Sequence, residues 1–397
     1  MSKTSLKYRL PLLGLVLLLI TVFNSSFFIP SDNIKIRIYT HVKIQSVQLN
    51  INSGEYTIQG DGKFILNCSE NNAYKVIPAG NGVSVYENGN FIGNYAYLKF
   101  NAKNGSEMKV KITNPNRKPR IYLQHLIFTN LEGILQIVND VEMDKYICGV
   151  TEAESGYRSS DEYYKVQAIL ARTFALAHMH RHSTEGYSLC DQVHCQVYYG
   201  KPRSERIAKS VYDTKNLVVV DENLNLIVAA FHSNSGGQTA NSEDVWGSKT
   251  SYLRSIIDTF STVMPHANWS RKMLTEDWLT YLKLKHNYPV DDAEALDIAL
   301  NFKQPERKSY LVASAVKVPL RHVRQDLQLR STFFSIKPLS SDSILFEGKG
   351  YGHGLGMCQE GAMNMSKLGY TYDQILHFYY QNISIIDMKK LSFFKDE

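Results

Sequence analysis

The sequence predicts an α+β fold: mixed, largely antiparallel sheets with packed helices in the core, behind a small β-rich N-terminal domain. Three observations carry this. Residues from about 33 to 115 alternate apolar and polar, as in Ile34-Lys-Ile-Arg-Ile and Val47-Gln-Leu-Asn-Ile, with clusters such as Gly60-Asp61-Gly62 between the runs. A helical period then places Val166, Ile169, Leu170, Thr173, Phe174 and Ala177 on one face. Strands return at Leu217–Val220 and at 226–231, and helices again around 270–300.

Length and charge set bounds. A chain of 397 residues has room for two domains and a large core. Its net charge of +6 is mild and no dense Lys/Arg run is present, so nucleic acid is not an expected partner. Cys68, Cys148, Cys190, Cys195 and Cys358 are odd in number and unevenly spaced, unlike a disulfide framework. At the N-terminus Lys3, Lys7 and Arg9 precede an apolar run from Leu10 to Phe23, broken by Pro11, Gly14 and Thr21. That is the pattern of an export signal, cleaved near Asn24-Ser25-Ser26 or retained as a membrane anchor. Either form places the rest outside the cytoplasm, in the periplasm or facing the cell wall. The expected organisation is therefore a signal or anchor over 1–30, a β-rich domain over 31–117, and a second domain over 118–390 with a helical insertion near 265–305.

Taken in order, Ile121-Tyr-Leu and Ile134-Leu-Gln-Ile-Val continue as strands. The stretch from Val141 to Glu154 reads on as a strand whose end puts Glu152 and Glu154 on one face. Ser159 is placed to cap the next helix, with Glu162 completing a capping box. His178, His180 and His182 fall at that helix's end, where a positive charge is favourable. The strand at 226–231 runs into the polar loop His232-Ser-Asn-Ser235-Gly236-Gly237-Gln238-Thr239. Pro289 separates two helical pieces in the 270–300 region. Leu368-Gly369 closes a later helix, and Thr371 with Gln374 forms a second capping box.

Three stretches carry candidate chemistry. The loop Gly350-Tyr-Gly-His353-Gly-Leu-Gly356 packs four glycines and one histidine into seven residues, just before a helical pattern. Glycine permits positive φ and close approach, and the imidazole can exchange a proton near neutrality. The loop lacks the Lys-Ser/Thr ending of a phosphate loop and the acid of a dinucleotide fold. Glu154, with Glu152 beside it, is a candidate general acid if its surroundings raise its pKa. Cys190, His194 and Cys195 supply three ligands within six residues, and His182 or His178 would complete a closed, structural Cys₂His₂ zinc site. A Cys190–Cys195 disulfide or two free thiols are the other readings of the same spacing.

Together these stretches resemble the stage II sporulation protein D (SpoIID) family of peptidoglycan lytic transglycosylases, which also includes amidase enhancers. The resemblance is carried, in family order, by Gly149-Val-Thr-Glu-Ala-Glu154, by Lys165-Val-Gln167-Ala-Ile-Leu-Ala-Arg172-Thr-Phe-Ala, and by Cys190-Asp-Gln-Val-His194-Cys195-Gln-Val-Tyr-Tyr-Gly200. It continues through Ser233-Asn-Ser235-Gly236-Gly237, Tyr252-Leu-Arg-Ser255, Leu329-Arg-Ser-Thr-Phe333 and Gly350-Tyr-Gly-His353-Gly-Leu-Gly-Met-Cys-Gln359-Glu-Gly-Ala362. The family's catalytic glutamate sits in Glu-Met-Pro; Glu154 aligns with it but is followed by Ser155-Gly156.

The resemblance implies cleavage of MurNAc–GlcNAc bonds in peptide-stripped glycan strands to 1,6-anhydro ends, with Glu154 as the only carboxyl group required. A hydrolase would need a second acid, for which Asp144, Glu152 and Glu360 are the candidates. His353 is implied as the group that orients the glutamate or a sugar. Gln167, Arg172, Ser233, Ser235, Gly236 and Gln359 are implied along the glycan groove, with tyrosines as stacking platforms. The three loops are expected to converge on that groove. Some relatives carry a Cys₂His₂ zinc, and a cell-wall amidase is the implied protein partner. A non-catalytic glycan-binding or amidase-enhancing protein on the same scaffold is the second expectation.

Overall fold

The early alternation of apolar and polar residues builds two sheets in the computed structural model, which describes residues 33–103 and 105–393. The expected signal or anchor over 1–30 lies outside the described residues. The strands are β1 Asn33–Ile38, β2 Ser46–Ser53, β3 Tyr56–Gly60, β4 Lys63–Asn67, β5 Ala73–Ala79, β6 Gly82–Glu87 and β7 Asn90–Tyr95. They continue with β8 Leu98–Ala102, β9 Glu107–Asn114, β10 Arg120–Leu123, β11 His125–Leu131 and β12 Ile134–Glu142. Hairpins join several of them through two-residue turns, Asp61-Gly62, Asn88-Gly89 and Glu132-Gly133, in which both residues take positive φ. This is the turn whose twist matches paired strands.

One sheet runs β13-β1-β12-β11-β8-β3-β4, where β13 is Leu189–Cys190, and the other β10-β9-β2-β5-β6-β7. Only β13 pairs in parallel, against β1; the rest are antiparallel. The inner faces share one core containing Val47, Leu49, Ile58, Val76, Val85, Phe100, Phe128 and Ile137, all buried. The Phe100 ring meets Tyr74 at 5.7 Å and Phe128 at 5.6 Å, edge on. Each such side chain removed from water contributes about 1.5–3 kcal/mol. Strands from before and after residue 117 share the first sheet, with β1 paired to β12 from Asn33↔Glu142 to Ile38↔Ile137. The β-rich stretch and the segment that follows it are therefore joined by main-chain hydrogen bonds.

The chain leaves β12 directly into α1, Met143–Ser155. The strand expected through Glu154 thus ends at Glu142. From there Tyr146, Ile147, Val150 and Thr151 are buried at helical spacing. α2 spans Asp161–Ala177, and its cap is Ser160, whose side chain accepts from Tyr163 N. Ser159 does not cap it, because the helix begins one residue later than expected, and the Glu162 carboxylate accepts from Lys165 and the Tyr372 N–H rather than closing a capping box. α3 (Glu205–Asp213) packs on both helices. β14 (Leu217–Val220) pairs with β22 (Ser384–Asp387). The strand expected at 226–231 shrinks to a single bridge, Leu226 to Val220, and the two-residue β15, Phe231–His232.

A second hydrophobic core follows α4 (Ser242–Trp246). It is built by β16 (Asn268–Leu274), α5 (Thr275–His286), α6 (Ala293–Leu300), β17 (Tyr310–Ala313), β18 (Val316–Pro319), α7 (Leu320–Asp326), β19 (Phe334–Pro338) and β20 (Ser343–Lys349). At its centre the Phe346 ring meets Trp278 edge-on and Phe334 at a tilt, each at 5.3 Å. The helices around 270–300 are thus part of a larger unit that also holds strands, and Pro289 does lie between α5 and α6. The chain returns through β21 (Met357–Cys358), α8 (Gln359–Lys367), α9 (Tyr372–Tyr379), β22 and α10 (Met388–Phe393). The Thr371/Gln374 capping box at the start of α9 is formed on both sides. No helix among the described residues is long and apolar enough to cross a membrane.

Candidate functional site

On a helix, residues two apart point about 200° from each other, so Glu152 and Glu154 diverge rather than share a face. Glu152 turns toward a groove of about 960 Å³ lined by the half-exposed Tyr157, Tyr199 and Tyr212 and by Lys109, Lys145 and Arg203. Its carboxylate accepts from the Arg203 and Ser204 N–H groups at 2.7 and 2.9 Å and from the Tyr157 hydroxyl at 3.1 Å. Glu154 turns the other way and accepts a single hydrogen bond, from the Val197 N–H at 3.3 Å. Burial pushes the Glu154 carboxyl above the ordinary carboxylate range, and the Val197 bond only partly opposes this. α1 ends at Gly156 with φ +64, a conformation closed to proline, so the turn after Glu154 is of a different kind from a Glu-Met-Pro turn.

The glycine loop lies directly on the 233–237 loop. Asn234 and Tyr351 exchange main-chain hydrogen bonds at 2.9 and 2.8 Å, and β15 pairs in parallel with β21. Gly350, Gly352, Gly354 and Gly356 all take positive φ. At Gly356 an added Cβ would lie 2.1 Å from the Ala230 carbonyl oxygen, so the close approach excludes any side chain. Cys358 caps α8, accepting from Ser235 N and Gly361 N. The fully buried Tyr163 ring lies within electrostatic reach of both Cys358 and Glu154. Its hydroxyl accepts from the Gln167 side chain at 2.9 Å.

The implied groove residues separate into two groups. Ser233 and Gln359 are half-buried, and neither side chain has a hydrogen-bond partner among the described residues. Gln167 is buried against the Tyr163 hydroxyl at 2.9 Å. Ser235 is buried between Asp258 and Ser261, both at 2.7 Å. Arg172 is fully buried, paired with Asp144 at 3.0 Å and donating to the Thr214, Leu217 and Val211 carbonyls. Gly236 packs on Lys349 and Gly350. In this structure the polar atoms of Gln167, Arg172 and Ser235 are engaged or covered by protein, and Gly236 packs against the glycine loop. Asp144 is taken by Arg172, and Glu360 by His266 and Asn234.

His353 is held by the loop itself. Its Nδ1 accepts from Leu355 N at 3.0 Å, and the Phe231 main chain lies within hydrogen-bond reach of the ring. Burial and the nearby Arg324 and Arg307 guanidinium groups bring its pKa down to about 4, so it is neutral above that pH. Its ring neighbours are His232 at 5.6 Å and Trp246 at 6.2 Å.

His182 Nε2, Cys190 Sγ, His194 Nδ1 and Cys195 Sγ all lie within 4.8 Å of one another and could hold a metal ion. Tetrahedral zinc with N and S ligands requires donors roughly 3.3–3.8 Å apart. Cys190 Sγ and His194 Nδ1 are 3.8 Å apart, Cys195 Sγ and His182 Nε2 3.6 Å, and Cys195 Sγ and His194 Nδ1 3.5 Å. Glu185 Oε1 lies 2.6 Å from His182 Nδ1, the carboxylate–histidine arrangement that orients a metal ligand. His178 instead stacks on Phe174, its Nδ1 turned to that residue's carbonyl. His182, not His178, is thus the histidine gathered with His194 and the two cysteines, and Cys190 and Cys195 are not disulfide-bonded. Glu185, three residues after His182, was the readable signal for that histidine.

Residues 132–220, which hold both Glu154 and the Cys₂His₂ group, match the family model for SpoIID, stage II sporulation protein. The chain is 28% identical over 285 residues to an uncharacterized protein of Brachyspira hyodysenteriae, covering 68% of this chain and 74% of that one. It is 28% identical over 265 residues to the stage II sporulation protein D of Bacillus subtilis, covering 63% and 76%. To the amidase enhancer of the same organism it is 26% identical over 287 residues, 60% of this chain and 40% of the relative.

Proposed function

For this chain, a member of the SpoIID family, we propose an extracytoplasmic role at the cell wall as a lytic transglycosylase that cuts peptide-stripped glycan strands between MurNAc and GlcNAc. The observation that carries the reading is Glu154: a largely buried carboxyl with one long main-chain hydrogen bond, no cationic partner and a raised pKa. A carboxyl whose pKa is raised in this way holds its proton to higher pH than a solvated one and is suited to giving it up. In the proposed reaction Glu154 donates its proton to the glycosidic oxygen, and the GlcNAc hydroxyl leaves. The resulting carboxylate takes the proton of the MurNAc C6 hydroxyl, whose oxygen bonds to C1. Water is not consumed, and Glu154 ends protonated, ready for the next bond.

Ser233 and Gln359 are the proposed polar contacts to the sugar, since their side chains have no protein partner. His353, neutral and held at both ends, acts as a wall of the binding surface and a positioning residue for the glycine loop. His182, Cys190, His194 and Cys195 would hold zinc. Four protein donors leave no open position, so that ion's contribution is structural. The loop it fixes carries Val197, whose N–H reaches Glu154. A cell-wall amidase that strips the strands is the proposed partner, in keeping with the amidase enhancer among the relatives.

A second reading, glycan binding with stimulation of an amidase and no cutting, is favoured by one observation, the Ser155-Gly156 turn with its positive φ. Mass spectrometry of stripped strands incubated with the purified protein separates the two. Anhydro-ended products from the wild type, absent with Glu154→Gln, support the transglycosylase. Binding without products supports the second reading.

A further inference from the structure

Where α4, α7 and the glycine loop meet, a pocket of about 220 Å³ is lined by Trp246, Arg307, Arg321, Arg324, Thr332 and His353. Lys308 adds a fourth cation, and Asp244 is its one carboxylate, accepting from the Ser309 hydroxyl. Arg307 donates to neutral oxygens only: Gln238 O at 2.6 Å, Ser235 O at 2.7 Å and Thr332 Oγ1 at 3.4 Å. Arg324 donates to the Arg330 carbonyl at 3.3 Å. Among the described residues neither guanidinium is paired with a carboxylate. Burial, with a smaller contribution from the Arg324 charge, brings Arg307 down to about 10. Four cations gathered in a cleft with one carboxylate are costly, and a bound anion offsets that cost. Trp246 is 47% exposed at the same place, and its flat face suits one pyranose ring.

We propose that this pocket binds the free lactyl carboxylate of an N-acetylmuramic acid residue, with Arg324 and Arg307 as its cationic partners and Trp246 under the sugar. The assignment rests on the glycan-binding reading above. While a stem peptide is attached, the lactyl carboxyl is a neutral, bulky amide. Hydrolysis of that amide bond leaves a carboxylate on every muramic residue. The pocket therefore selects strands by the product of amide hydrolysis, and an amidase reaction must supply its ligand.

The test uses full-length Glu154→Gln protein, which holds strands without cutting them, in equilibrium titrations with four ligands. These are stripped strands, the same strands with lactyl carboxyls converted to methylamides, chitin oligomers of equal length, and peptide-bearing strands. Stripped strands should bind about tenfold or more tighter than the other three, as a charge-assisted bond in a semi-buried site permits. Adding Arg324→Gln should bring stripped strands down to the methylamide level and leave methylamide binding unchanged. Equal binding of stripped and methylamide strands overturns the proposal, and needs no pocket variant. A preference that survives Arg324→Gln also overturns it. Peptide-bearing strands that bind as tightly as stripped ones would put the recognised carboxylate on the peptide and sink the lactyl assignment. None of these readouts needs bond cleavage, so failure of the transglycosylase reading is seen separately, as absence of anhydro ends from the wild type.

Discussion

The Val197 N–H points at the Glu154 carboxylate from two residues beyond Cys195. The candidate acid is thus tied to the candidate metal group through one short piece of backbone.

Glu154→Gln should lower the rate of anhydro-end formation by about 10²–10⁴-fold, the usual contribution of a positioned acid–base group. Glu152→Gln should lower it only several-fold, while destabilising the 203–204 turn that it accepts from. Equal losses in the two variants would move the chemistry to Glu152 and its groove.

The raised pKa of Glu154 has a sign that can be checked. The folded state binds this proton more tightly than the unfolded state, so the carboxylate destabilises the fold at pH above the folded pKa. That penalty fades as pH falls through the folded pKa and is gone below the unfolded value of about 4.3. Glu154→Gln should therefore be more stable than wild type at pH 7 to 8, with the gap closing toward pH 4. Denaturant titrations across that range measure it. A gap that widens on acidification contradicts the raised pKa.

Purified protein should contain about one zinc per chain by elemental analysis. His182→Ala should lose it, His178→Ala should keep it, and Glu185→Gln should weaken binding by about 10–100-fold through the loss of its bond to His182. Stoichiometric zinc in His182→Ala would rule out the assigned ligand set.

Arg172→Ala should behave as a core lesion. Removing one partner of a buried ion pair costs about 3–5 kcal/mol, and Asp144 would keep only the more exposed Lys215, 3.7 Å away. The expected readout is a lower denaturation midpoint, with KM for stripped strands unchanged in whatever fraction remains folded. A raised KM at wild-type stability would return Arg172 to the groove.

His353→Gln should preserve the descending limb of the wild-type pH–rate profile between pH 5 and 8, because a histidine near pKa 4 does not titrate there. Its effect should fall on KM. Disappearance of the limb would make His353 the proton-transfer group.

The parts of the site that could be read from sequence are those written in local spacing. Cys190, His194 and Cys195 lie within one short loop, and the four glycines of 350–356 announce a backbone that must pass close to another chain. The α1 error has a local cause too. Ile147, Val150 and Thr151 are β-branched, so the stretch carries strand propensity that packing against α2 overrides. The surroundings of the expected groove residues were illegible for a different reason. Arg172, Gln167 and Ser235 have the residue types of a sugar site, and only the fold reveals that Asp144, Tyr163 and Asp258 already occupy them. Arg307, Arg324 and Trp246 come from three distant segments with no shared spacing, and nothing short of the tertiary structure brings them together.

The pairing of β1 bears on the order in which the molecule is made. Asn33 bonds to Asp140, 107 residues further on, and Tyr39 N to Asp191, 152 residues further on. The first described strand is synthesised early and stays unpartnered until β12 and then β13 have appeared. Those are the segments that lead into Glu154 and carry Cys190. Closing such long loops is slow. β1 is therefore locked into the sheet only once the residues around the candidate site have themselves been made, so this edge of the sheet and the site are completed together.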